Sequence, residues 1–247
     1  MFEKEQQVKE VLFFMKLKTD LVIMGSGMAG ISAADAALAR GKKVIVFEKK
    51  PYQGGAVSNC PIAYVSIRKD RAFQNAAFHL LYEYSNYNAN PSVIRQYVNN
   101  SWRTKEYIER LGIKMIPTQQ LELEDIGDPK YADGFPPAVM AHGDFYLVPG
   151  RGKGHGGALI CLNAMKDIIK RGGQYMLNTP ITDILVDENG KVTGVKAVNN
   201  ETKEEIEVEC EAVIIASGGI MEDREMMKKY TGFTFTDYNC SGDGNVL

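Results

Sequence analysis

Residues 20–49 read DLVIMGSGMAGISAADAALARGKKVIVFEK, an apolar run that opens onto three spaced glycines and closes, after a second apolar run, on an acid. Gly25, Gly27 and Gly30 have GxGxxG spacing, and Glu48 follows Gly30 by about 18 residues, near the ~20 expected of a dinucleotide-binding βαβ unit. The chemistry is recognition of a diphosphate and a ribose. Gly25 permits a tight turn out of the strand. Gly27 has no Cβ, so a diphosphate can approach the backbone, and Gly30 lets a helix pack closely on a sheet. The phosphates then rest on unpaired N–H groups at the positive end of that helix. Glu48 is positioned to accept hydrogen bonds from a ribose diol. An acid there disfavours a 2′-phosphate, and with it NADP.

These residues need an αβ frame. LVIM and VIVF are continuous apolar runs, the pattern of strands buried on both faces. The alanine-rich stretch 28–40 between them reads as a helix stopped by Gly41. Parallel pairing with a right-handed crossover follows. Helical periodicity returns over residues 71–111, interrupted at Asn90-Pro91, and again from Ala158 to Lys170. The stretch 174–216 is strand-rich, with an Asn189-Gly190 hairpin signal and a final VIIA run that reads as another buried strand. Residues 117–157 are rich in Gly, Pro and Asp, and so long a loop is usually functional.

The wider sequence excludes several classes. The chain has 247 residues and a net charge of −2, which gives no electrostatic footprint for nucleic acid. Hydrophobic residues make up 45% and charged residues 24%, the balance of a globular protein. No apolar run approaches the ~20 residues of a membrane helix, and VLFFM in the leader is too short for a signal peptide. Cys60, Cys161, Cys210 and Cys240 are far apart and form no metal-ligand pattern, so they read as free thiols. Residence in the cytoplasm and no bound metal are the expectations. Residues 1–19 read as a leader or short helix, and residues 20–247 as one cofactor-binding domain.

The continuation past Glu48 selects the cofactor. KKPYQGGAVSN brings the pair Gly54-Gly55, and Ser217-Gly218-Gly219 and Gly242-Asp243-Gly244 follow downstream. A plain NAD-binding Rossmann domain has no use for this series. In order, MGSGMAG, VFEKK with QGG, GRGKGHGGALICLNAMKDIIKRGGQYMLNTPITDILVDENGKVTGV, EAVIIASGGIMEDREMMKKY and SGDG resemble the flavoprotein subunit of the fumarate reductase and succinate dehydrogenase family.

That resemblance implies a three-layer, Rossmann-like FAD-binding fold with a central parallel sheet, an added β-meander and helices, without the family's capping domain. It implies FAD as cofactor, with Gly25, Ser26, Gly27, Met28, Ala29 and Gly30 at the diphosphate and Glu48 at the ribose. Lys49, Gly54, Gly55, Ala56 and Ser58 would line the path to the flavin ring. Ile181 would offer backbone groups to adenine, Ala216, Ser217 and Gly218 would flank the adenosine half, and Asp243 would face the flavin. No histidine lies between Gly55 and His79, which argues against covalent attachment of the cofactor.

The reaction implied is hydride transfer between flavin and a small carboxylic acid or related unsaturated substrate. The alternative is an FAD-binding or electron-transfer module completed by a partner chain or a further C-terminal part. No proton donor is assigned. Arg151, Lys153 and His155 in GRGKGHGG are candidates for substrate or cofactor contact, or for a solvated loop. His142 stays open, and His79 reads as a structural histidine.

Overall fold

The structure is a computed structural model that describes residues 14–55, 58, 63–119, 144–147, 156–220 and 223–232, with backbone alone at 63–66, 116–119 and 144–147. In chain order the first elements are β1 (Phe14–Lys18), β2 (Leu21–Met24), α1 (Met28–Leu38), β3 (Val44–Phe47) and β4 (Ala63–Ser66). Helices α2 (Arg71–Tyr84), α3 (Pro91–Asn100) and α4 (Trp102–Arg110) follow, then β5 (Ile116–Gln119), β6 (Asp144–Leu147) and α5 (Gly156–Lys170). The remainder comprises β7 (Gln174–Met176), β8 (Ile181–Val186), β9 (Val192–Val198), β10 (Glu205–Glu209), β11 (Ala212–Ile215) and α6 (Arg224–Thr231). The chain divides into two compact units, one of residues 1–58 with 164–247 and one of residues 59–163.

The first unit is built in layers. Its central sheet has the order β11-β2-β3-β7 and is parallel throughout. The apolar runs LVIM and VIVF supply its middle, with Leu21 opposite Val44 and Met24 opposite Phe47. Successive side chains of a strand point to opposite faces. Val22, Met24, Ile45 and Phe47 therefore share a core with Ile181, Val195, Ala197, Ile206 and Val208 of a second sheet. That sheet runs β1-β10-β9-β8, with β8, β9 and β10 an antiparallel meander and β1 parallel to β10. Ile23, on the opposite face, meets α1: its Cγ2 lies 3.5 Å from where a Cβ on Gly30 would stand. Helix, parallel sheet and meander are the three layers expected of the FAD-binding fold.

Two expectations are corrected. The leader or helix read over residues 1–19 carries strand β1 over its last part. FMKLK alternates, so Met15 and Leu17 pack on the core. Lys16 and Lys18 face outward to Glu207 and Glu209, at 3.7 and 2.5 Å. Residues 1–13 lie outside the described residues. The VIIA run forms β11, yet Ile215 is 52% exposed and Ile214 is exposed as well. The reason is position: β11 is the edge strand of its sheet among the described residues.

The hairpin signal at Asn189-Gly190 stands between β8 and β9 as expected. The carboxylate of Asp187 organises the loop by accepting from the Asn189 and Lys191 N–H groups, both at 2.9 Å.

The second unit holds α2, α3 and α4 and an antiparallel sheet of order β4-β6-β5. Asp70 caps α2 through the Phe73 N–H, and Asn90 caps α3 ahead of Pro91, a proline at the first helical position being well tolerated. Ile67, Phe73, Ala77 and Val98 form its buried cluster. His79 is exposed on α2. No helix among the described residues is long and apolar enough to cross a membrane.

Candidate functional site

The predicted site residues of the first unit gather at the carboxyl ends of β2, β3 and β11. The chain leaves β2 through α1 to reach β3 on one side, while β11 pairs on the other side of β2. Such a reversal point is where open parallel sheets bind ligands.

Gly25 opens the turn with φ +98°, a conformation that glycine adopts without the penalty of a side chain. Its N–H donates to the Phe47 carbonyl at 2.7 Å. A Cβ at this position would meet the Ala216 carbonyl oxygen at 2.5 Å, so the turn lies against the end of β11. The Ala216 N–H in turn donates to Met24 at 2.8 Å.

Gly27 is the N-cap of α1, no side-chain hydrogen bond caps this terminus among the described residues, and the first turn holds no acidic residue. The leading N–H groups of a helix have no intrahelical partner, and here these are the N–H groups of Met28, Ala29 and Gly30. Among the described residues a Cβ on Gly27 would meet nothing within 4 Å. With respect to those residues the terminus is therefore open, and it is positively polarised, as a diphosphate requires.

Glu48 directly follows β3 and is 5% exposed. Its Oε2 accepts from the Ser26 N–H at 3.0 Å and from the Ser26 hydroxyl at 2.8 Å, and its Oε1 accepts from the Lys50 N–H at 3.0 Å. The Ser26 hydroxyl also accepts from the Gly54 N–H at 2.9 Å. The two glycine segments are thus tied through one buried serine. The N–H groups of Gly25 and Ser26 are both engaged inside the protein, with the Phe47 carbonyl and the Glu48 carboxylate.

Gly54 is buried, and Ser58 is buried with its hydroxyl on the Gln53 carbonyl at 3.0 Å. Lys49 is half-buried beside Glu48. Ser217 follows Ala216, and its buried hydroxyl has no hydrogen-bond partner among the described residues. Gly218 is exposed with φ +94°. Ile181 begins β8 opposite Ala197, and the register shifts between Ile181 and Asp183. Such a bulge disrupts the ladder locally and leaves its extra residue unpaired.

Ala56 and Asp243 lie outside the described residues, as do Cys60, His142, Arg151, Lys153 and His155. Two residues absent from the sequence reading support the acid. Asn178, at φ +56°, donates its N–H to the Lys50 carbonyl at 2.8 Å and accepts from the Asn200 N–H at 2.8 Å. The Thr179 N–H donates to the Glu48 carbonyl at 2.8 Å. The one signal for this brace was the Asn in LNTP, a residue that tolerates the left-handed region.

An open helix terminus, the clear space over Gly27 and the orphaned Ser217 hydroxyl all suit a dinucleotide. Comparison with known proteins agrees. A family model described as FAD binding domain matches residues 20–247. The chain is 31% identical to NADH:fumarate oxidoreductase of Klebsiella pneumoniae over 92% of its length, covering 24% of that protein. It is 28% identical to fumarate reductase (cytochrome) of Shewanella frigidimarina over 91% of its length, covering 38% of that protein. The chain therefore spans well under half the length of these curated relatives. Among solved structures, the open conformation of a flavocytochrome c3 fumarate reductase shares the fold, with a TM-score of 0.69 at 17% identity over 87% of this chain and 36% of that one. With the motif series, the layered fold and the family model in agreement, the chain belongs to the FAD binding domain family, among the flavoproteins of the fumarate reductase and succinate dehydrogenase type, and its cofactor is FAD.

Proposed function

We propose that this chain is the flavin-holding part of an oxidoreductase that moves a hydride between FAD and a small carboxylic acid with a conjugated carbon–carbon double bond. The single observation that carries the reading is the uncapped, unobstructed terminus of α1 between Glu48 and the buried Ser217 hydroxyl. Support for the substrate class comes from the two relatives named for fumarate. Residence in a reducing compartment accompanies the reading, on the strength of four separated cysteines.

When bound, FAD supplies a two-electron carrier, and the protein supplies binding, orientation and electrostatics. The N–H groups of Met28, Ala29 and Gly30 would hold the diphosphate, and Glu48 the adenosine ribose. The bulge after Ile181 would present backbone groups to adenine. Ala216, Ser217 and Gly218 would flank the adenosine half, with Lys49, Gly54, Gly55 and Ser58 on the way to the ring. Ala56 and Asp243 are proposed on the flavin side from the sequence series alone.

A second reading follows from the fraction of the relatives' length that this chain covers: an FAD-binding module whose substrate chemistry needs a further segment or a partner chain. One experiment separates the two. The purified chain is incubated with FAD, freed of excess, and scanned in the visible. It is then assayed with reduced viologen dye against fumarate, crotonate and urocanate. Yellow protein with turnover supports the oxidoreductase, and yellow protein without turnover supports the module. Colourless folded protein overturns both.

A further inference from the structure

The carboxylate of Glu48 is already largely occupied. An ionised carboxylate offers about four acceptor sites. Among the described residues three are filled: two on Oε2 by the Ser26 N–H and hydroxyl, and one on Oε1 by the Lys50 N–H. None of these donors is a mobile surface group. Ser26 is fully buried, and its hydroxyl is held from the other side by the buried Gly54 N–H. The backbone that carries the acid is held as well: its N–H donates to the Met176 carbonyl at 2.9 Å, and its carbonyl accepts from the Thr179 N–H at 2.8 Å.

We infer that Glu48 takes no more than one hydroxyl of the adenosine ribose, at the remaining site on Oε1, and that Ser26 sets this limit. The inference rests on the FAD reading above. A ribose diol grasped by both hydroxyls requires two vacant acceptor sites on the acid, and at most one remains. The other hydroxyl must find a different acceptor or water. Ser26 is thus a positioning residue: it touches the acid, not the cofactor, and it decides how the acid reads the sugar. Removing its hydroxyl vacates a second site, on Oε2, while the Ser26 N–H bond persists.

The test is binding, read by quenching of flavin fluorescence as apo protein is titrated with three ligands. These are FAD, FAD lacking the 2′-hydroxyl of its adenosine ribose, and FAD lacking the 3′-hydroxyl. For the wild type, one deoxy ligand is expected to bind about tenfold to a hundredfold more weakly than FAD, the effect of losing a hydrogen bond to a charged acceptor. The other is expected to stay within about threefold of FAD, since it loses no bond to a charge. In Ser26→Ala both deoxy ligands are expected to fall below FAD. Comparable losses for both ligands in the wild type, or no loss for either, overturn the inference. So does a Ser26→Ala protein that binds flavin and keeps the wild-type pattern. A wild-type chain that binds none of the three overturns the FAD reading itself, a result distinct from binding without the selectivity. The wild-type comparison stands even where Ser26→Ala fails to fold.

Discussion

A Cβ placed on Gly30 would lie 1.9 Å from the carbonyl oxygen of Gly25. The first and last glycines of the motif are therefore in backbone contact, and the missing side chain of the third serves packing. It lets the first turn of α1 close onto the strand that feeds it. The oxygen belongs to rigid backbone, so a side chain at residue 30 forces the turn to move.

Gly30→Ala should destabilise the apo protein by about 1–3 kcal/mol, the usual cost of overpacking a tight site. Thermal or urea unfolding of the flavin-free chain measures it. Unchanged apo stability would mean that the turn relaxes freely.

Gly27→Val should behave in the opposite way. Residue 27 has φ −68° and ψ −174°, extended backbone open to any side chain, and a Cβ meets nothing within 4 Å. The apo fold should lose no more than about 1 kcal/mol, since valine is a poorer N-cap than glycine but meets no steric obstacle there. Flavin content after incubation with FAD should fall to background, because the branched side chain fills the space of the diphosphate. Normal flavin content in a folded variant would show that the diphosphate lies elsewhere.

The contrast explains what was legible in the sequence. Local patterns carried the elements themselves: LVIM, VIVF and the helix between them stand where periodicity and Gly41 put them. The GxGxxG spacing carried the turn. Relations between distant residues were out of reach. Ser26 reads as one more backbone position in a glycine loop, and its tie to Glu48 and Gly54 exists only once β2 and β3 pair. The exposure of Ile215 depends on which strands flank β11, which its own apolar run does not encode. Residues 14–18 read as leader or helix because five alternating residues carry little weight on their own, and FMKLK becomes a strand only where β10 pairs with it.

Asn178 tests the brace behind the acid. Its φ of +56° costs most side chains energy, and its backbone links Lys50 to Asn200. Asn178→Ala should lose about 1 kcal/mol of stability, because the polar Asn side chain offsets part of a left-handed penalty of roughly 1–2 kcal/mol that alanine bears in full. It should also weaken FAD binding by loosening Glu48. Asn178→Gly should keep both within about 0.5 kcal/mol, since glycine enters this region freely. Equal losses in the two variants, by unfolding and flavin titration, would place the requirement in the Asn side chain.

Arg171 joins α1 to the end of α5. Its Nη1 donates to the Asp35 carboxylate and, at 3.0 Å, to Asp167, while Nη2 donates to the Asp35 carbonyl at 3.2 Å. Burial works against the guanidinium charge, but the bonds to Asp35 and Asp167 outweigh it and raise the pKa above its ordinary value. A cation with a raised folded value contributes stability below its unfolded value and loses it only above. The arginine therefore stays charged through any ordinary alkaline titration. Arg171→Met should cost about 1.5–3 kcal/mol, the range for hydrogen bonds to charged groups. The loss should be the same at pH 7 and pH 10. Flavin affinity should be unaffected, since Asp35 lies toward the far end of α1 from Gly27.

Cys210 gives a pH dependence of known sign. The thiol is buried in the core between the sheets. Burial pushes its pKa above the ordinary 9.0, against the opposing pull of backbone hydrogen bonds from Ala212 and Val22. As pH climbs past 9.0, the unfolded chain sheds this proton before the folded chain does. The folded state then binds more protons, and stability declines with rising pH. The contribution is intact below pH 9.0 and is lost above it. Urea unfolding from pH 7 to pH 10.5 should show a steeper alkaline decline for the wild type than for Cys210→Ala, whatever offset the smaller side chain causes. Parallel declines would mean that the buried thiol ionises as readily in the folded protein as in the unfolded one.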